Sequence, residues 1–212
     1  MAALSEGLVW VDEHLVVLDK PAGLLAVPGR GEGKQDCLSA RAQALWPDAL
    51  VVHRLDMATS GLFLMGRGIH MQRVLSRAFA ERAVHKRYEA VVAGTLGAPG
   101  SRGVIELPLA RDWPNRPLQK VDREHGRPST TRWEVLAAGA GTTRLALEPV
   151  TGRSHQLRVH LQAIGHPILG DPLYAPPQWQ RAAARLLLHA CALQLAHPAS
   201  GEPLSFASAV PF

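Results

Sequence analysis

Apolar residues along this chain fall into short runs cut by glycine and proline. Leu15-Val16-Val17-Leu18 ends at Lys20-Pro21-Ala22-Gly23 and predicts a buried strand entering a turn. Leu50-Val51-Val52 predicts a second strand, running into His53-Arg54-Leu55-Asp56, and Leu62-Phe63-Leu64-Met65 a third after the Thr59-Ser60-Gly61 turn. The period then changes: Met71, Val74, Leu75, Ala78 and Phe79 fall at i, i+3, i+4, i+7 and i+8, an amphipathic helix with Arg73 and Arg77 one turn apart on another face. Further strands are expected at 87–93, 131–136 with Trp133 inward, 143–147, 193–195 and 204–207. Leu157, Leu161 and Ile164 predict a short helix after the Thr151-Gly152-Arg153 turn, and residues 178–185 a third helix. Strands outnumber helices and often follow one another directly, so the expected class is α+β with a largely antiparallel sheet. No repeat, low-complexity tract or linker divides the chain, and residues 1–212 are read as one domain.

Composition narrows the function classes. The chain has 212 residues, 47% of them hydrophobic and 19% charged, which is too apolar for a disordered protein. The longest nearly apolar stretch, from Leu186 to Ala196, is interrupted by His189 and Gln194 and is well short of the roughly 18 residues of a membrane span. The first residues lack a basic-then-apolar leader, and two cysteines, Cys37 and Cys191, are too few for a disulfide framework. A soluble cytoplasmic protein is expected, and a monomer, since no exposed apolar stripe is evident. The net charge of +5 is modest, but it is concentrated. Six Lys/Arg lie between Arg67 and Arg87 against Glu81 alone, and six between Arg111 and Arg132 against three acids. Arg153 and Arg158 stand in a stretch without acids. Such clusters suit several phosphates, although arginines also solvate helix faces.

The local frames of several chemistries are missing. There is no GxGxxG, GxxxxGK[ST], GxSxG, CxxC or HExxH, and the ten histidines give no i, i+4 pair backed by a carboxylate. No metal site is expected. What stands out is Asp56 in HRLDMATSGLFLMGR, just past an apolar strand. Opposite charge from Arg54 favours its carboxylate form, able to attack an electron-poor carbon or hold a cationic centre. The alternative is that Asp56 caps the following turn and pairs with Arg54. In TGRSHQLRVHLQAIGHPILGD, Arg153 sits at a loop-to-helix junction. The helix dipole disfavours a cation there, so it calls for an anion, either an acid elsewhere in the fold or a phosphate. Tyr88, among Lys86 and Arg87, can stack on a base, move a proton, or simply be a strand tyrosine.

HRLDMATSGL, KPAGLLAVPGR, KRYEAVVAG, TGRSHQLRVHLQAIGHPILGD and RLLLHACALQLAHPASGE occur in the order of similar segments in the RluA family of RNA pseudouridine synthases, from Val9 to about Phe212. The resemblance implies a pseudouridine synthase fold, a mixed, mostly antiparallel sheet flanked by helices, as a single catalytic domain without an S4 domain. It implies that Asp56 starts the isomerisation of uridine to pseudouridine and that Arg54 enters the RNA stack in place of the extruded base. Tyr88 matches the tyrosine that stacks on the uracil and removes the final proton, and Arg153 the basic residue that pairs with the catalytic carboxylate. Leu157 is the weaker match for the apolar wall under the base, and His53 joins the substrate-binding set. Neither cofactor nor metal is implied, because no redox change or hydrolysis occurs. Whether Asp56 attacks C1′ or removes the 2′ proton stays open.

The insertion ARDWPNRPLQKVDREHGRP resembles that of a dual-specificity branch of the family, which implies two substrates, a 23S rRNA hairpin-loop uridine and an anticodon-loop uridine of tRNA. Trp113, Asn115 and Arg116 are expected to touch RNA, since an exposed tryptophan needs a purpose; the plain alternative is a surface turn. Other outcomes are a synthase acting on tRNA only or rRNA only, or a non-catalytic RNA-binding protein on the same fold.

Overall fold

A computed structural model describes residues 7–212. In chain order its strands are β1 (Leu8–Val11), β2 (Leu15–Lys20), β3 (Ala49–Val51), β4 (Ser60–Arg67), β5 (His85–Ala93), β6 (Arg102–Glu106), β7 (Leu109–Arg111), β8 (Gln119–Val121), β9 (Thr130–Gly139), β10 (Thr142–Pro149), β11 (Leu188–Ala196) and β12 (Pro203–Ala207). The helices are α1 (Leu38–Gln43), α2 (Gly68–Ala80), α3 (Gln156–Ala163) and α4 (Pro177–Gln180). The chain divides into two compact units: one runs to Lys86 and includes Ala190–Pro211, the other holds Arg87–His189 and Phe212.

In the first unit the unbroken apolar run of β2 is explained by burial on both faces, with Leu15, Val16, Val17 and Leu18 all fully buried. β2 lies antiparallel between β1 and β4, with Leu15 opposite Gly66 and Lys20 opposite Gly61. β3 pairs with β4, and β12 with β11. Leu15, Val17, Leu62 and Leu64 meet Leu193, Leu195 and Phe206 in one core cluster, which α2 closes with Leu75. Arg73 and Arg77 are exposed on α2, as its periodicity predicts. Gly66 lets the helix approach, because an added Cβ would stand 2.9 Å from the Gln72 amide nitrogen. β1 was not foreseen, and its four apolar residues are all exposed, an apolar stripe that the sequence reading did not expect.

The second unit is an antiparallel array ordered β5-β10-β9-β6. Tyr88 lies opposite Leu147, and Thr131 opposite Pro149. Trp133 is half-buried with its indole over Gly103, where no side chain fits. α3 is buried at every residue from Gln156 to Leu161, so the three apolar positions that predicted it understate its burial. β7 and β8 form a separate hairpin within residues 107–128. The third helix expected at 178–185 is corrected to the four residues of α4. A continuing helix would need the Trp179 carbonyl, but the Gly170 N–H donates to it at 2.9 Å.

Gly61 carries the tightest constraint on unit one. Its φ is +109°, and an added Cβ would collide with the backbone of Ala190, 2.6 Å from its nitrogen. Gly61→Ala should therefore cost about 2–4 kcal/mol, read as a lower urea midpoint at unchanged m-value.

Candidate active site

Asp56 lies in the loop between β3 and β4, and the physics of that loop begins with Lys20. This lysine is fully buried. Its ammonium donates to the carbonyl oxygens of Pro21 (2.8 Å), Leu24 (2.7 Å) and Met57 (3.0 Å). A buried ammonium must find acceptors, and here they come from the turn after β2 and from the residue following Asp56. The Gly23 N–H donates to the same Met57 carbonyl at 2.9 Å, and the Thr59 N–H to the Asp56 carbonyl at 3.1 Å. Asp56 is thus half-buried on a loop fastened at both sides, with Arg54 exposed two residues earlier.

His53 fastens the other end. β3 stops pairing at Val51, and the Leu64 N–H of β4 donates instead to His53 Nε2 at 2.8 Å. The ring stacks on Phe79 (centroids 4.6 Å apart) and lies 5.1 Å from Phe63. Burial, with repulsion from Lys86, pushes its pKa down to about 3. The sequence reading placed His53 in the substrate-binding set; its acceptor nitrogen is occupied by the strand backbone, which makes it a support of the loop.

In the second unit Tyr88 is half-buried on β5 and Arg153 is exposed in the turn between β10 and α3. The turn is organised by Gln156, which is buried. Its Oε1 accepts from the Thr151 hydroxyl (2.8 Å) and the Arg153 N–H (3.0 Å), while its Nε2 donates to the Thr130 carbonyl (3.0 Å) and the Thr131 hydroxyl (3.1 Å). Thr151 Oγ1 accepts in turn from the Thr130 N–H at 2.9 Å. One amide side chain therefore binds the Arg153 turn to β9. Leu157 follows on α3 and is buried. Below it Arg158 and Asp171 form a fully buried bidentate pair, Nε to Oδ2 at 2.8 Å and Nη2 to Oδ1 at 2.7 Å. His160 is buried too; its Nε2 faces the Leu107 carbonyl at 2.9 Å and its Nδ1 the Thr131 hydroxyl at 2.9 Å. A carbonyl only accepts, so the ring proton sits on Nε2, and burial keeps the imidazole neutral.

The hairpin insertion is both a surface turn and an exposed aromatic. Trp113 is 59% exposed. The guanidinium carbons of Arg116 and Arg111 lie 4.0 Å and 4.8 Å from its ring centroid. Asn115 donates to Asp112 Oδ2 at 3.0 Å, closing the turn.

Asp12, His14 and His197 bring potential ligand atoms within 4.8 Å of one another. The Ser200 and Ala199 N–H groups donate to His197 Nδ1 at 3.0 Å and 3.3 Å, so the proton of the neutral ring is on Nε2, 3.3 Å from Asp12 Oδ2. Both Asp12 oxygens also accept, from Trp10 Nε1 and from the His14 and Leu15 N–H groups. These contacts describe a hydrogen-bonded clasp, with the nitrogen a metal would need carrying the proton.

The structure thus keeps Arg54 and Asp56 with His53 in one unit and Tyr88, Arg153, Leu157 and the Trp113 turn in the other. Sequence reasoning missed Lys20 and Gln156. A lysine immediately after an apolar strand and before proline, and a glutamine among the apolar positions of α3, were the available signals. Cys37, read as an ordinary small side chain, is the cap of α1, its sulfur accepting from the Ala40 N–H.

Comparison with known proteins gives a consistent result. The family described as RNA pseudouridylate synthase matches residues 14–163. The chain is 50% identical over 193 residues to the dual-specificity RNA pseudouridine synthase RluA of Vibrio cholerae, covering 91% of this chain and 78% of that protein. It is 48% identical over 207 residues to the enzyme of the same name from Escherichia coli K12, covering 97% and 93%. Among solved structures it is similar to human RNA pseudouridylate synthase domain containing 1, with a TM-score of 0.77 at 27% identity, covering 97% of this chain and 84% of that one.

Two outcomes follow for the loop supports. Lys20→Met leaves three part-buried carbonyls without their cation and should destabilise the fold by about 2 kcal/mol in denaturant titration. For His53 the folded value lies below the unfolded one, so the unfolded chain binds the extra proton. Stability from this group is present above about pH 6.5 and is lost as pH falls toward about 3. His53→Gln should flatten the slope of stability against pH in that window, whereas an unchanged slope would refute the neutral imidazole.

Proposed function

This chain belongs to the RNA pseudouridylate synthase family, an isomerase family, and we propose that it modifies two RNA classes, a 23S rRNA hairpin-loop uridine and an anticodon-loop uridine of tRNA. Support for the dual specificity comes from its near full-length similarity to relatives that carry that term in their names. A purely RNA-binding role is not favoured. The whole of residues 1–212 serves as the catalytic domain, acting in the cytoplasm.

The reaction explains the residue types. The target nucleotide leaves its stack at a cost of a few kcal/mol, and Arg54, exposed and close to Asp56 in sequence, fills the gap. The N1–C1′ bond breaks, the uracil turns, a C5–C1′ bond forms, and the proton on C5 is removed while N1 gains one, so the product is an isomer. Asp56 begins this either by attack on C1′ or by taking the 2′ proton. Both routes need a carboxylate, and the guanidinium of Arg153 favours that form. Tyr88 stacks on the uracil and takes the final proton. Leu157 supplies apolar wall, and Trp113, Asn115 and Arg116 hold the RNA outside the pocket. Single-stranded loops suit such a grip, because their bases can be splayed out and stacked.

The reading is tested by mapping pseudouridine in total RNA from cells lacking the protein. One rRNA and one tRNA site should disappear and return with the wild type but not with Asp56→Ala. Restoration by Asp56→Ala would remove Asp56 from the chemistry, and loss in only one RNA class would reduce the substrate range to that class. In vitro, Arg153→Ala should lower kcat by about 10².

A further inference from the structure

Tyr174 lies outside the residues that the family resemblance singled out, on the segment after α3. Its hydroxyl oxygen accepts from the Gln119 N–H at 2.9 Å and lies 2.6 Å from His155 Nδ1. An amide N–H can only donate, so the phenol oxygen accepts from the hairpin backbone while sharing a short hydrogen bond with the imidazole. Gln119 opens β8, the return strand of the hairpin that carries Trp113. His155 is the N-cap of α3, held at φ +54°, and is two residues from Arg153. The ring is fixed as well: the Tyr174 N–H donates to Asp171 Oδ1 at 3.2 Å, and the Arg158 guanidinium lies 5.1 Å from the ring centroid.

We infer that Tyr174 is a positioning residue for catalysis, its hydroxyl tying the hairpin to His155 and so setting the Arg153 turn. Two anchors then hold that turn, Gln156, which ties it to β9, and Tyr174 from the hairpin side. A left-handed N-cap is strained for a histidine, and it persists only where its surroundings hold it. The Tyr174 contact to the ring does this. The inference rests on the role given to Arg153 above.

The test is a double-mutant cycle in the full-length protein, following pseudouridine formation on an RNA stem-loop. Tyr174→Phe keeps the ring over Arg158 and removes only the hydroxyl. It should lower kcat about tenfold, the worth of one well-placed hydrogen bond, with KM for RNA unchanged and Tm within a few degrees of wild type. In an Arg153→Ala background it should cost nothing further, because the residue acts through Arg153. His155→Gly accepts the left-handed backbone and removes the phenol's partner, and it should reproduce the pattern, which provides a second route should Tyr174→Phe fail to fold. An unchanged kcat in Tyr174→Phe, or a repeated tenfold loss on top of Arg153→Ala, overturns the inference alone. An unchanged kcat in Arg153→Ala overturns the proposed role of Arg153, and the inference with it.

Discussion

A single ammonium group holds the Asp56 loop in place. Lys20 ends a strand buried at five of its six residues, with its charge inside the protein, where a lone cation would be untenable. Three carbonyls answer it, and they belong to two separate loops. Because the charge must be satisfied, the loops are drawn to one point, and the residue after Asp56 is among those drawn. The backbone here is irregular, with no ladder to fix it, so the buried cation does what strand pairing does elsewhere.

The second unit solves the same problem with a neutral group. Gln156 has two acceptor lone pairs and two N–H groups, and all four of its contacts fall on the ends of β9 or on the Arg153 turn. Beneath it the Arg158–Asp171 pair is fully buried and bidentate, its carboxylate also capped by the Leu173 and Tyr174 amides. Such a pair is weak evidence for added stability but a strong geometric constraint, because either partner left alone would be a buried charge. Both units thus seat an irregular stretch of backbone on a buried polar side chain, Lys20 under the Asp56 loop and Gln156 under the Arg153 turn.

This division explains what was legible in the sequence. Strands β2 and β4 announce themselves as unbroken apolar runs buried on both faces and helix α2 by its period, from which the exposed Arg73 and Arg77 also follow. Asp56, Arg54, Tyr88 and Arg153 were singled out because turn residues and ordered motifs frame them. Lys20 and Gln156 were passed over, since only their apolar surroundings in the sequence signal that a charged or amide side chain lies inside. The third helix failed for a related reason: the Gly170 amide that takes the Trp179 carbonyl is distant enough in sequence that no local pattern reports it. The β7–β8 hairpin has three-residue strands, too short for alternation to register.

An imidazole kept neutral down to about pH 3 is also an electrically silent neighbour. His53 sits three residues from Asp56, yet across the acidity range in which cells live it neither gains nor loses charge. The charge within that loop is carried by Arg54 and Asp56 alone. A fall in internal pH, as under acid stress, would therefore add no charge to this loop at His53. An aromatic packing choice, made to seat a loop against a strand, doubles as insulation from the environment.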